Sequence, residues 1–343
     1  MKRLAYIWLL GLLCTGCSLI DDDLSVCDTG DSTIIIKNVE YQLEYEMKLV
    51  TEMHVTVDEK LTSEIEKTIG DTLKRWLEPL FSGKAHDLDM NFYSMDGTDE
   101  LKHQRHEIVD ANQKSFTLYI PREDYMHLAV VNTAGNNSIR LMGAEHAASM
   151  RIKQVEGDTI DSHPTAVYTA RLPMSMTEDE NLTFSVHLYM VNAAVALVIN
   201  ESKLTSPKMT VLMKGSASGF SVRDSIYAFN THSLVRAKKV TDQCFAVVTM
   251  PSDSAKVAPS ATIAKRKTNE NPAVWQLIVH VTLPDGKITE TVLSADYALK
   301  AGTLEIIKVQ LNEDGSITPV QSPHVGATVT LDWKEGGTHE IDI

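Results

Sequence analysis

The chain has 343 residues and a formal net charge of −14, with 43% hydrophobic and 23% charged residues. That length leaves room for two domains, and the composition is that of an ordinary globular protein. So acidic a chain is poorly suited to grip nucleic acid or an anionic membrane through its own side chains, and no nucleic-acid partner is expected.

Lys2 and Arg3 supply a short basic start, followed by ten uncharged residues, 4–13. As a helix these extend about 15 Å, roughly half of a bilayer core, so the segment reads as the apolar region of an export signal and not as a membrane span. Cys14-Thr15-Gly16-Cys17 then places two small residues before a cysteine, which resembles the lipobox cut by lipoprotein signal peptidase. That resemblance implies a signal peptide of residues 1–16, cleavage between Gly16 and Cys17, and a Cys17 carrying S-diacylglycerol and N-palmitoyl groups. Cys14 departs from the pattern, because Leu is commonest there; the plainer alternative is an ordinary signal peptide with a soluble product. Each buried CH₂ contributes about 0.8 kcal/mol, so two or three acyl chains hold firmly where one holds marginally.

Residues 17–27 read as a lipidated tether, and Asp21-Asp22-Asp23 resembles the surface-export signal of Bacteroidota lipoproteins. The expected location is the outer membrane, on its outer face. Loss of Lys2 and Arg3 takes the charge to 30 − 46 = −16, so membrane contact is left to the lipid. Of four cysteines, Cys14 is discarded and Cys17 acylated. Cys27 and Cys244 could form a disulfide, or remain one buried and one free thiol.

Period-two alternation dominates the rest of the chain. Val39, Tyr41, Leu43, Tyr45, Met47 and Leu49 alternate with polar residues as in a half-buried strand. Residues 58–81 break the pattern: Leu61, Ile65, Ile69, Leu73, Trp76, Leu77 and Leu80 recur at three- and four-residue steps, predicting an amphipathic helix ended near Pro79. Its polar face carries both charge signs, so packing on the first sandwich is expected over lying on a membrane. Alternation resumes at Leu88/Met90/Phe92, Phe116/Leu118/Ile120, Leu182/Phe184/Val186/Leu188 and Trp275/Leu277/Val279/Val281/Leu283. Pro284-Asp285-Gly286-Lys287 predicts a hairpin into 288–293, with closing strands at 304–311 and 325–333 and a last short one at 339–343. The fold class is all-β: two tandem sandwiches, 28–177 and 178–343, the helix being inserted in the first.

Enzyme motifs fail in detail. Asp87-Leu88-Asp89-Met90-Asn91 opens like a calcium loop, but Phe92 and Thr98 stand where that loop needs Gly and Glu, so the acids read as the wet side of a strand. Gly215-Ser216-Ala217-Ser218-Gly219 has Ala217 where a nucleophile elbow needs Ser, and reads as a flexible turn. His103-Gln104-Arg105-His106 lacks companions for zinc and reads as a polar loop. No catalytic, cofactor-binding or metal-ligating residue and no cofactor is expected.

The residues 22–27, 41–47 and 88–97, then 116–121 with 125–132 as a hairpin, resemble the fimbrillin-associated anchor family of Bacteroidota, the FimB-like subunits that tether fimbriae. Residues 182–199 resemble the strand pair that opens the family's C-terminal sandwich, and Trp333 also fits. Two departures are the 58–81 helix and Arg122-Glu123-Asp124, where a Gly is common. The resemblance implies two transthyretin-like sandwiches at a fimbrial base, with fimbrillin shaft or accessory subunits as partners and strand addition as the joining mechanism. The competing reading is a surface lipoprotein that binds carbohydrate or protein independently of fimbriae, for which exposed aromatic residues would be the sign. A lipoprotein hydrolase is a third, and would need a convergent polar cleft.

Overall fold

Period-two patterning becomes strand almost wherever it occurs. The computed structural model describes residues 40–50, 61, 63–81, 85–110, 115–176, 182–205, 207–229, 234–252, 274–320 and 325–333. The signal peptide, Cys17, the acidic tether, Cys27 and the strand expected at 339–343 lie outside the described residues.

In chain order, β1 (Glu40–Val50) precedes the helix α1 (Glu64–Phe81). Then come β2 (Asp87–Ser94), β3 (Leu101–Ile108), β4 (Ser115–Pro121), β5 (Asp124–Val131), β6 (Ile139–Met142), β7 (Arg151–Gln154), β8 (Thr159–Asp161) and β9 (Tyr168–Ser175). These are followed by β10 (Leu182–Met190), β11 (Ala193–Ser202), β12 (Lys208–Lys214), β13 (Gly219–Ser221), β14 (Ile226–Ala228), β15 (Leu234–Arg236), β16 (Lys238–Thr241) and β17 (Cys244–Thr249). Last are β18 (Trp275–Thr282), β19 (Ile288–Ala295), β20 (Leu304–Leu311), β21 (Ile317–Pro319) and β22 (Val325–Trp333).

The first sandwich is one seven-stranded sheet, ordered β3-β2-β5-β9-β10-β1-β4, folded over on itself. Chain length demands the fold. Strands β4 and β5 stand four places apart, about 19 Å in a flat sheet, yet only Arg122 and Glu123 join them, a reach of about 11 Å. The two strands must therefore face each other across a core, and sheets packed face to face sit about 10 Å apart. The crease lies at β9–β10, which among the described residues are hydrogen-bonded only at Tyr189–Thr169 and Met190–Tyr168. Leu88, Met90 and Phe92 of β2, Tyr125 and Ala129 of β5, Phe116, Leu118 and Ile120 of β4, and Val186 and Leu188 of β10 share that core.

Two expectations are corrected here. Residues 116–132 do not form a hairpin: β4 pairs with β1, while β5 pairs with β2 and β9. The connection is an arch between layers, tied by the Tyr125 hydroxyl donating to the Pro121 carbonyl at 2.8 Å. Nor do residues 182–199 make a pair. Strand β10 lies parallel to β1 in the first sandwich, and β11 lies between β17 and β20 in the second.

The second sandwich stacks a sheet ordered β16-β17-β11-β20-β21 on one ordered β22-β19-β18-β12-β15-β8. Val195, Leu197, Phe245, Val247, Ile307 and Val309 meet Val211, Leu277, Val279 and Leu293 in its core, with Trp275 fully buried beside them. The opposite face of the first sheet, including Ala194, Ala196, Cys244, Ala246 and Ile306, is buried too, in the core shared with α1 and the first sandwich. Burial on both faces explains why AAVALVI and CFAVV are unbroken apolar runs. The predicted hairpin forms, β18 and β19 pairing throughout with Gly286 at φ +86° in the turn. A small sheet, β14-β13-β7-β6, covers the outer face of the first sandwich, where Tyr93, Leu128 and Val130 meet Ile139, Ile152 and Phe220.

Helix α1 spans Glu64–Phe81, shorter at its start than the predicted 58–81. Ser63 and Glu66 form a reciprocal cap: the Glu66 amide donates to Ser63 Oγ at 3.3 Å, and the Ser63 amide to Glu66 Oε2 at 3.1 Å. The helix falls within the chain of the first sandwich, and its strand contacts reach β11 and β16 of the second. Ile69, Leu73 and Leu77 form its buried stripe.

Candidate functional site

Strand exchange needs a backbone edge with free donors and acceptors, so the edges of the first sandwich are the place to look. Among the described residues β3 pairs only with β2, and β4 only with β1. These terminal strands differ in chemistry. In β4, Ser115, Thr117 and Tyr119 face solvent while Phe116, Leu118 and Ile120 face the core, and no residue is charged. Tyr119 is 54% exposed. Strand β3 carries Lys102, Arg105 and Glu107, the sort of charge that discourages edge-to-edge pairing. A side chain joins the two edges: Arg105 Nη1 donates to the Thr117 carbonyl at 3.0 Å, while Arg105 Nε is held by Glu107. A polar clasp therefore sits across the seam, and β4 is its uncharged, apolar-backed side.

The histidine segment is strand β3, correcting the expected polar loop. Three residues apart on a strand, His103 and His106 point to opposite faces and cannot share an ion. His103 leans on Phe92, ring centroids 5.8 Å apart, and His106 Nδ1 lies 3.0 Å from Asp89 Oδ1 on β2. Among the described residues no three His, Cys, Asp or Glu side chains gather as metal ligands would.

The acids at the start of β2 are not its wet side, a second correction. Asp87 and Asn91 are buried, on the same face of β2 as Tyr93, which packs against the small sheet. Asp87 Oδ2 accepts the amides of Thr133 and Ala134 at 3.2 and 3.0 Å. Burial nevertheless holds its carboxyl above the usual range, against the pull of those two bonds.

Residues 215–219 are likewise no flexible turn: Ala217 is fully buried, Ser218 and Gly219 are buried, and Ser216 bridges to Ser252. Gly215 has φ +94°, and a Cβ there would lie 2.8 Å from the Val274 carbonyl. Gly215→Ala is expected to destabilise the fold by about 1–3 kcal/mol, from left-handed strain and the clash with backbone. A urea unfolding midpoint unchanged from wild type would contradict this.

Cys244 is buried and has no disulfide partner among the described residues, burial pushing its thiol pKa up to about 12; Cys27, with which it could pair, lies outside them. Sequence reasoning missed the Arg105 clasp, because LKHQRHEI has apolar residues only at its ends and so carries no strand periodicity.

The family model for fimbrillin-A associated anchor proteins Mfa1 and Mfa2 matches residues 77–335. The chain belongs to this anchor family. Its role is accordingly fimbria-associated, at the cell surface, in a family of fimbrial proteins and not of enzymes. No curated protein matches the sequence. Among solved structures, the anchor-family chain is similar to a Bacteroides thetaiotaomicron protein provisionally described as polysaccharide-binding. Identity is 8%, the TM-score 0.51, and 83% of this chain and 100% of that one are covered. It is also similar to the fimbrial anchor protein Mfa2 from Porphyromonas gingivalis, at 8% identity and TM-score 0.42 over 86% of this chain and 99% of that one. The tip fimbrial protein Mfa3 of the same organism, with C-terminal truncation, matches at 10% identity and TM-score 0.43 over 86% and 100%. Of these, the first carries the likeness of fold, and fold alone. No described helix of the anchor-family protein is long and apolar enough to cross a membrane.

Proposed function

We propose that this protein is an outer-membrane lipoprotein, cleaved between Gly16 and Cys17 and acylated on Cys17, that anchors or terminates a fimbria at the cell surface. Its partners are fimbrillin shaft or accessory subunits, and the contact is strand addition along β4. The observation that supports this reading is that β4, uncharged and apolar-backed, ends its sheet among the described residues in a member of an anchor family. A strand laid there would satisfy main-chain groups of β4 and set alternate side chains beside the core. The Arg105 bond to the Thr117 carbonyl occupies one acceptor of that edge and would have to yield. Two or three acyl chains on Cys17 supply the hold that an acidic surface does not.

Tyr119→Lys puts a charge on the exposed face of this edge without touching the core. Cells carrying it are expected to shed fimbriae into the medium, as are cells carrying Cys17→Ala, which in addition should lose labelling by a fatty-acid probe. Surface imaging with fractionation reads both. Fimbriae retained at normal number in Tyr119→Lys would remove β4 from the mechanism, and persistent labelling of Cys17→Ala would remove the acylation site.

A further inference from the structure

A cavity of about 410 Å³ opens where the C-terminal half of α1 meets residues 161–164 and the β15–β16 corner. Trp76 and Leu80, one helical turn apart, form its apolar wall. Trp76 is half-buried, packed against the core on one side, and has no hydrogen-bond partner among the described residues. Across from this wall stand Asp161 and Arg236, joined at 3.2 Å with both side chains largely in solvent. Beside them is Lys238, which is exposed and has no ion-pair partner among the described residues. The rim is thus one carboxylate against two cations, on a chain whose overall charge is −14.

This combination has a specific chemical complement. A sugar ring presents a flat C–H face that stacks on an indole, and hydroxyls that both donate and accept. The Asp161–Arg236 pair offers an acceptor and donors for such hydroxyls; the Lys238 ammonium, without an ion-pair partner among the described residues, favours an anionic substituent, and the planar Arg236 guanidinium matches the geometry of a carboxylate. The volume lies within the range of small-molecule sites and has room for a mono- or disaccharide. We infer that the cavity walled by Trp76 binds a carboxylate-bearing sugar of an acidic glycan, with the ring on Trp76 and the carboxylate at Lys238 and Arg236. The site is independent of the β4 edge, so it stands or falls apart from anchoring.

Calorimetric titration of the mature acylated protein in detergent micelles, with trigalacturonate and neutral maltotriose as probes, tests this. Trigalacturonate is expected to bind, maltotriose to bind at least tenfold more weakly, and added salt to weaken the former. Trp76→Ala and Lys238→Glu should each lower trigalacturonate affinity at least tenfold. Because Trp76 packs on the core, Lys238→Glu is the decisive variant: an exposed lysine with no ion-pair partner among the described residues can be reversed in charge without loss of fold, checked by an unchanged unfolding midpoint. Trigalacturonate failing to bind the wild type, maltotriose binding as tightly, or undiminished binding in Lys238→Glu each overturns the assignment.

Discussion

Lowering the pH from 7 to 5 is expected to cost the folded protein about 4 kcal/mol, through two buried histidines. His127 and His163 are 0% and 1% exposed, and burial depresses both imidazoles from 6.5 to about 4. His127 stacks on Phe92 with ring centroids 4.5 Å apart, and its Nδ1 donates to the Asn91 carbonyl at 3.1 Å. His163 Nδ1 lies 2.8 Å from Asn192 Nδ2, whose companion Oδ1 accepts the Val167 amide, so the amide nitrogen donates and the ring nitrogen must accept. A proton on that nitrogen would set donor against donor. Above about pH 6.5 the unfolded and folded states are both neutral at these residues, and stability is full. As the pH falls from about 6.5 to about 4, the unfolded chain takes up two protons that the folded chain refuses. Stability is lost through that window at up to about 2.7 kcal/mol per pH unit. Asp87, with its raised pKa, opposes the trend, and the lowered carboxyls of Asp96 and Asp314 lose their contribution only at more acid pH. Urea unfolding at pH 5, 6 and 7 measures the slope, and His127→Gln/His163→Gln should flatten most of it. A double variant as pH-sensitive as wild type would place the effect elsewhere.

Lys308→Ala is expected to destabilise the protein by about 3 kcal/mol, more than its surface neighbours warrant. Its ammonium, 22% exposed, reaches Glu66 Oε1 at 2.9 Å, and that carboxylate is 3% exposed. The other carboxylate oxygen of Glu66 accepts the Ser63 amide in the helix cap. One side chain thus closes the first turn of α1 and binds it to β20 in the second sandwich. Removing Lys308 takes a counter-charge from a buried carboxylate, which is the costly way to break such a pair; replacing both partners by apolar groups of similar size costs less. The double variant Glu66→Met/Lys308→Met should therefore lose less than the Lys308→Ala single variant. A loss under about 1 kcal/mol for Lys308→Ala, typical of an exposed pair, would show that solvent already screens the contact.

Much of this architecture is written locally. Alternation at 182–188, 275–283 and 304–311 marks β10, β18 and β20 because a side chain on a strand has only two directions to take. The three- and four-residue steps of 64–81 mark α1 for the same kind of reason. The processing signal proposed at Gly16–Cys17 is likewise a local pattern, carried by residues 1–17.

What tertiary structure alone decided is which face meets what. Asp87 and Asn91 alternate like solvent-facing residues but are buried, on a face of β2 whose Tyr93 packs against the small sheet assembled from β6, β7, β13 and β14, and that sheet draws strands from both halves of the chain. Strands β4 and β5 are neighbours in sequence and opposed across a core in space; spacing reveals that a turn is short, not whether it closes a hairpin or crosses between layers. The Arg105 clasp and the Trp76 cavity depend on residues tens to hundreds of positions apart, and nothing in a single strand or helix records such a distance. Periodicity registers that a side is buried, since the apolar choice is made residue by residue, whereas the identity of the covering surface is settled only when the layers pack.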